Sequence, residues 1–109
     1  MSDQIDRIPA LGLVLDHGRH RGSREPGQTV ELGGRVRLWE LLVALGKRHD
    51  RYFRTYDLIS EVWGDYPAAE STLWAAVSEL RKMLGPLQVT IKHRKGIGYR
   101  LEDLRTRES

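Results

Sequence analysis

Four cations and no carboxylate lie between Lys92 and Arg100: Lys92, Arg94, Lys95 and Arg100, with His93 among them. Grouped ammonium and guanidinium donors suit phosphate oxygens, through charge-assisted hydrogen bonds and long-range attraction. The residues around them say how they are carried. Val89-Thr90-Ile91-Lys92-His93-Arg94 alternates apolar and polar, as a half-buried strand does. Lys95-Gly96-Ile97-Gly98 reads as a turn and Tyr99-Arg100-Leu101 as the returning strand. The cations therefore stand on a projecting hairpin with Tyr99 as its anchor. The bland alternative is a charged edge that prevents strand-to-strand aggregation. A second basic pair, Arg51 and Arg54, comes just before a helix whose N-terminus is a natural anion site. Ordinary solvation is the competing reading there.

Other chemistries lack their residues. His17 and His20 have the look of a metal pair, but they fall on a strand edge and no carboxylate cluster completes a ligand set. His49-Asp50 lies in a loop with no nucleophile nearby. Gly96-Ile97-Gly98 does not open a helix, so it is no dinucleotide fingerprint. The chain has no cysteine, which excludes disulfides and thiolate metal sites. Neither an enzyme nor a cofactor is expected. The longest apolar run, Leu38 to Leu45, is broken by Glu40 and is far too short to span a bilayer. The first residues lack a basic stretch followed by an apolar core, so no secretory signal is read. A cytoplasmic protein away from the membrane is expected. Its net charge is +3, and the charges are unevenly placed. Thr55 to Leu80 holds no Lys or Arg but contains Asp57, Glu61, Asp65, Glu70 and Glu79.

The elements that must position the cations follow from periodicity. Residues 1–9 read as a loose lead-in, 10–103 as one domain and 104–109 as a polar tail. Leu11 to Asp16, His17 to Ser23 and Gln28 to Leu32 read as three short strands, with a turn at Arg24-Glu25-Pro26-Gly27. Val36 to Lys47 is an amphipathic helix carrying Leu38, Trp39, Leu41, Leu42 and Leu45, weakened at its end by Gly46. After a basic connector, Asp50 to Arg54, Thr55 caps a second helix that holds Leu58, Ile59, Val62 and Trp63 and stops at Gly64. The third helix starts at a Ser71 or Thr72 cap. It aligns Leu73, Val77, Leu80 and Leu84 in one apolar stripe, and ends at a left-handed Gly85 before Pro86. Its other face carries Thr72, Ala75, Ala76, Ser78, Glu79 and Lys82, with Arg81 placed either to reach a ligand or to pair with Glu61 or Glu79. Trp74 sits off the stripe and is expected to wedge against the second helix or the early sheet.

Strands, three helices and a terminal hairpin make an α+β winged helix-turn-helix: an N-terminal antiparallel sheet, a three-helix core and a C-terminal β-hairpin wing. Four motifs in order make the resemblance specific. Trp39-x-Leu41-Leu42-x-x-Leu45, Val62-Trp63-Gly64, Leu80-Arg81-Lys82-Met83-Leu84 and Gly96-Ile97-Gly98-Tyr99-Arg100-Leu101 resemble those of the OmpR/PhoB-type DNA-binding domain of response regulators. The resemblance covers about Leu11 to Glu102. It implies a transcriptional regulator that binds duplex DNA, with the third helix, about 71–84, in the major groove and the wing, 92–100, beside the minor groove. It also implies dimers on tandem sites and contact between RNA polymerase and the loop at 64–70. The implied contact residues on the helix are Thr72, Ala75, Ala76, Ser78, Glu79, Arg81 and Lys82. On the wing they are Lys92, His93, Arg94, Lys95 and Arg100, with Arg51 and Arg54 as further phosphate contacts.

Two departures stand out. No receiver-like acidic cluster precedes the domain, so control is expected to come from another chain, from abundance or from a part outside this sequence. Ala76, Ser78 and Glu79 stand where the family usually has Arg or His, which disfavours guanine readout from those positions. Glu79 can accept from cytosine N4, and Ala75 or Ala76 can touch a thymine methyl. The base-free span motivates an alternative, a degenerate winged helix that binds RNA polymerase or a sensor and little or no DNA.

Overall fold

The computed structural model describes residues 5–24 and 27–106. Strict alternation builds its first layer. In β2 (Leu13–Asp16), Leu13 and Leu15 point inward and Val14 and Asp16 are half-buried. Around it β1 (Ile5–Ile8), β3 (Arg21–Arg24) and β4 (Gln28–Glu31) form an antiparallel sheet in the order β1-β2-β3-β4. The sheet thus has four strands rather than three. β1 falls inside the stretch read as a lead-in, because only Ile8 of its four residues is buried and the period-2 signal is missing. Residues 17–20 turn instead of starting a strand, and His20 takes a left-handed φ of 51°. Of the turn expected at Arg24–Gly27, Glu25 and Pro26 lie outside the described residues. The Gly27 N–H donates to the Arg24 carbonyl at 3.1 Å.

Helical spacing builds the second layer. α1 (Val36–Lys47) buries Leu38, Trp39, Leu41, Leu42 and Leu45 as its pattern requires. Gly46 is buried too: a Cβ there would stand 2.6 Å from Ile8 Cδ1, so this glycine is where β1 lies on the helix. α2 (Thr55–Trp63) buries Leu58, Ile59 and Val62 and stops at Gly64 with φ 60°. Its N-cap is Arg54, and Thr55 is already helical and caps nothing. α3 (Glu70–Met83) turns Leu73, Val77 and Leu80 fully into the core, followed by Leu84. It begins earlier than the sequence suggests. Ala69 is the N-cap, and Thr72 Oγ1 reaches back to accept the Ala69 N–H at 3.3 Å. Gly85 is not the left-handed residue. The chain runs through a 3-10 turn at Gly85–Leu87, and Gln88 takes φ 57°.

The third layer is a small sheet, in the order β5-β7-β6, of β5 (Phe53–Arg54), β6 (Val89–Arg94) and β7 (Gly98–Asp103). β5 looks like a basic connector in sequence and becomes a strand only through Phe53↔Tyr99 and Arg54↔Gly98 pairing. One buried side chain ties the two sheets together. Arg24 is 5% exposed, donates from Nη1 to the carbonyls of Leu87 at 2.9 Å and Gln88 at 3.1 Å, and from Nη2 meets Asp103 Oδ1 at 2.7 Å. Residues 104–106, assigned to the tail, form a further 3-10 turn, from which Arg105 Nε donates to Gln88 Oε1 at 2.9 Å. Residues 107–109 lie outside the described part, as do 1–4.

Burial by itself would raise the Asp103 carboxyl. The hydrogen bond from Arg24, the Arg105 N–H and the charges of both arginines outweigh it and hold the carboxyl below its ordinary value of 3.8. A carboxyl depressed in the folded state stabilises the fold above its unfolded value, and that contribution fades as pH falls through the folded one. Denaturant unfolding at stepped pH is therefore expected to show stability dropping below about pH 4, with a smaller drop in Asp103→Asn. Equal drops in both proteins would remove Asp103 from the acid response.

Candidate nucleic-acid interface

On α3, Ser71, Thr72, Trp74, Ala75, Glu79 and Lys82 are exposed, while Ala76 and Ser78 are half-buried and Ala76 packs on the core. Two of the long polar side chains are already engaged. Arg81 pairs with neither Glu61 nor Glu79. It donates from Nε at 3.0 Å and Nη2 at 2.7 Å to the Ile91 carbonyl, which fastens the helix to β6. Its guanidinium lies 5.6 Å from the Trp74 ring centre. Glu79 is ion-paired with Arg35, which comes from the turn before α1. Trp74 is not a wedge against α2 or the early sheet. It is 45% exposed and leans on His93 of the wing, with ring centres 5.4 Å apart.

Register divides the wing cations between two faces. In β6 and β7 the pairs are Lys92↔Arg100, His93↔Tyr99 and Arg94↔Gly98. His93 therefore shares the inner face with Tyr99, stacked at 4.5 Å, next to α3. Lys92, Arg94 and Arg100 take the outer face, where Arg94 and Arg100 stand 5.8 and 4.9 Å from the Tyr52 ring centre. The single positive edge expected from the sequence is thus a cationic outer face plus Lys95 at the tip. Lys92 opposite Arg100 places like charges across a strand pair, which costs some stability unless an anion lies against them.

Between α3, the start of α2 and the wing tip lies an open groove of about 1100 Å³. Ser71, Trp74, His93, Ile97 and Tyr99 line it, Arg54 and Lys95 bring positive charge, and Asp57 and Glu70 bring negative charge. Burial raises the Tyr99 hydroxyl above its ordinary value, the Glu70 charge adds to this and Arg81 opposes it. Arg54 also occupies the α2 N-cap, whereas Arg51 lies outside the groove beside Asp50, at 4.0 Å. His17 and His20 serve the fold. His17 Nε2 lies 2.8 Å from Asp6, Trp39 Nε1 donates to His17 Nδ1 at 3.4 Å, and His20 stacks on Trp39 at 5.1 Å. Among the described residues no helix is long and apolar enough to cross a membrane.

Residues 27–101 match the family described as transcriptional regulatory protein, C terminal. The chain belongs to that family. Its members are DNA-binding domains of transcriptional regulators, not enzymes. Solved structures agree in fold. The DNA-binding domain of CpxR from E. coli is 27% identical, with 92% of this chain and 96% of that one covered at a TM-score of 0.65. The DNA-binding domain of E. coli CadC is 22% identical, with 94% of each chain covered at a TM-score of 0.72. The response regulator AdeR DNA-binding domain, solved in complex with an intercistronic region, is 18% identical, covering 94% and 97% at a TM-score of 0.63. No curated protein matches the chain in sequence. As a transcriptional regulatory C-terminal domain the chain has the α+β winged-helix architecture expected of it, sheet first and wing last.

Sequence reasoning missed Arg35, Tyr52 and Ile97. Arg35 is 44 residues from Glu79 along the chain, so no local pattern joins them. Tyr52 precedes the two-residue β5, and its place near two guanidinium groups follows from sheet pairing. Ile97 had a usable signal: an aliphatic residue between two glycines at a hairpin tip is left 46% exposed.

Proposed function

We propose that this chain binds duplex DNA sequence-specifically as a regulator of transcription, with α3 in the major groove and the wing on the flanking phosphates and minor groove. The observation that carries this is the open groove bounded by the exposed side of α3, the N-terminus of α2 and the tip of the wing. A duplex presented there meets Ser71 and Trp74 on the helix, Lys95 on the wing and Arg54 at a helix N-terminus, where backbone N–H groups favour phosphate. Thr72 and Ala75 are exposed on the same helix outside the groove. Lys82 near the far end of α3 and the outer-face cations reach for backbone on either side. The AdeR domain was solved on DNA, and this chain shares its fold. The exposed 64–70 loop, with Tyr66 under Arg37 at 5.3 Å, is the surface for RNA polymerase. Two copies side by side on tandem sites, in the cytoplasm, complete the reading.

Binding is expected to weaken as salt rises, because each neutralised phosphate releases counterions. Alanine at Lys92, Arg94 and Lys95 together is expected to lower affinity for all duplexes alike, and to flatten the salt slope by roughly one for each phosphate that is no longer neutralised. Gel shifts over a salt series measure both. Failure to retain any duplex at low salt sinks the proposal and leaves the protein-interaction module, which the acids Asp57 and Glu70 in the groove favour.

A further inference from the structure

We infer that Trp74 is a specificity determinant that packs on thymine methyl groups, so that the duplex recognised by this chain is fixed by thymines at the helix–wing groove. The inference rests on the duplex-binding reading above and adds the chemistry of the site that is read. Base edges are usually read by long polar side chains, above all by forked guanidinium groups on guanine. On α3 most of these are held within the protein, and Lys82, exposed near its C-terminal end, is the exception. Arg81 turns Nε and Nη2 to the Ile91 carbonyl, Glu79 is held by Arg35, and the Thr72 hydroxyl oxygen accepts the Ala69 N–H. Ser71 has a short hydroxyl that suits any base, so it discriminates little. What the helix offers the groove is an indole, 45% exposed, beside Ala75 and facing a groove that Ile97 also lines.

Among the major-groove edges of the bases, the C5 methyl of thymine is the apolar group that such a surface can recognise. The indole is also held in place rather than loose. His93 and Arg81 pack on its ring, and Tyr99 lies 6.5 Å from it. A ring already ordered loses little further side-chain entropy on binding, so its contact with a methyl is specific as well as apolar.

The test deletes the methyl from the DNA and leaves the protein intact. Duplexes are selected from a randomised pool at low salt. The most enriched one is then remade with deoxyuridine in place of each thymidine in turn, which keeps base pairing and removes the methyl alone. At the contacted thymines affinity is expected to fall about four-fold per methyl, the equivalent of one buried methylene-sized group. In Trp74→Ala the same replacements are expected to change affinity less than about two-fold. Comparing two duplexes on one protein cancels any general loss of folded Trp74→Ala. Equal binding of thymine and uracil duplexes by the unaltered protein overturns the inference alone. So does a selected site defined by guanines, which moves readout to Arg35 or Lys82. A chain that holds no duplex at all overturns the duplex-binding reading, and this inference with it.

Discussion

Gly98→Ala is expected to destabilise the fold by about 3–5 kcal/mol, lowering Tm by roughly 12 °C or more. Gly98 has φ 151°, a backbone conformation that residues with a side chain rarely adopt. Space is the harder limit. A Cβ at this position would lie 2.0 Å from the Phe53 carbonyl oxygen and 2.7 Å from its carbon. These are backbone atoms of the paired strand β5, so no rotamer change relieves the clash, and β5 must leave β7. With it would go Phe53, which is buried, and Arg54 at the start of α2. The natural control is Gly96→Ala two residues earlier. Gly96 has φ 81° but open space around it, so strain alone should cost about 1 kcal/mol. Thermal and urea unfolding of the two variants measure the gap. Equal losses would show that conformation rather than contact sets the requirement for glycine at 98.

Arg24→Met is expected to cost a comparable 3–5 kcal/mol, roughly the loss seen when one partner leaves a buried ion pair. The change deletes the donor to the Leu87 and Gln88 carbonyls and the guanidinium held 2.7 Å from the Asp103 carboxylate. The buried Leu87 carbonyl then loses its donor without regaining solvent, and Asp103 loses the Arg24 guanidinium while keeping the Arg105 N–H. A second change separates this mechanism from simple loss of packing. Arg24→Met combined with Asp103→Leu removes both charges, and is expected to recover a large part of the loss, since apolar replacement of a whole buried pair is often neutral. If the double variant is as unstable as the single one, the two carbonyl contacts rather than the ion pair hold the sheets together. Chemical unfolding of all three proteins at neutral pH settles which.

The elements with a strong local period were legible in advance. Leu38, Leu41, Leu42 and Leu45 in α1, and Leu73, Val77 and Leu80 in α3, are buried where 3.6-residue spacing puts them, because an amphipathic stripe has one way to leave water. β6 alternates along its inner half for the same reason with a period of 2. β1 and β5 were not legible as strands. Ile-Asp-Arg-Ile and Phe-Arg carry too little pattern, and each exists because a neighbour supplies its hydrogen bonds. Ser71 and Thr72 showed the same limit at a helix start. Several polar residues in a row can cap, and the geometry chose Thr72 reaching back to Ala69.

By itself, then, the order of apolar residues determined the winged-helix framework, because burial periods and turn residues act over a few neighbouring positions, and four motifs set on that framework carried the resemblance to the family. What each polar side chain does was decided only by tertiary structure. Arg81 belongs to Ile91, Glu79 to Arg35 and Arg24 to Asp103, and these partners come from segments that chain order keeps apart. The wing shows the reason most simply. Side chains on a strand alternate between faces, so neighbouring cations in the sequence, Arg94 and Lys95, and His93 beside them, divide between the outer face, the tip and the inner face once β6 pairs with β7. A charge count along the chain has no way to register that division, because it exists only where strands meet.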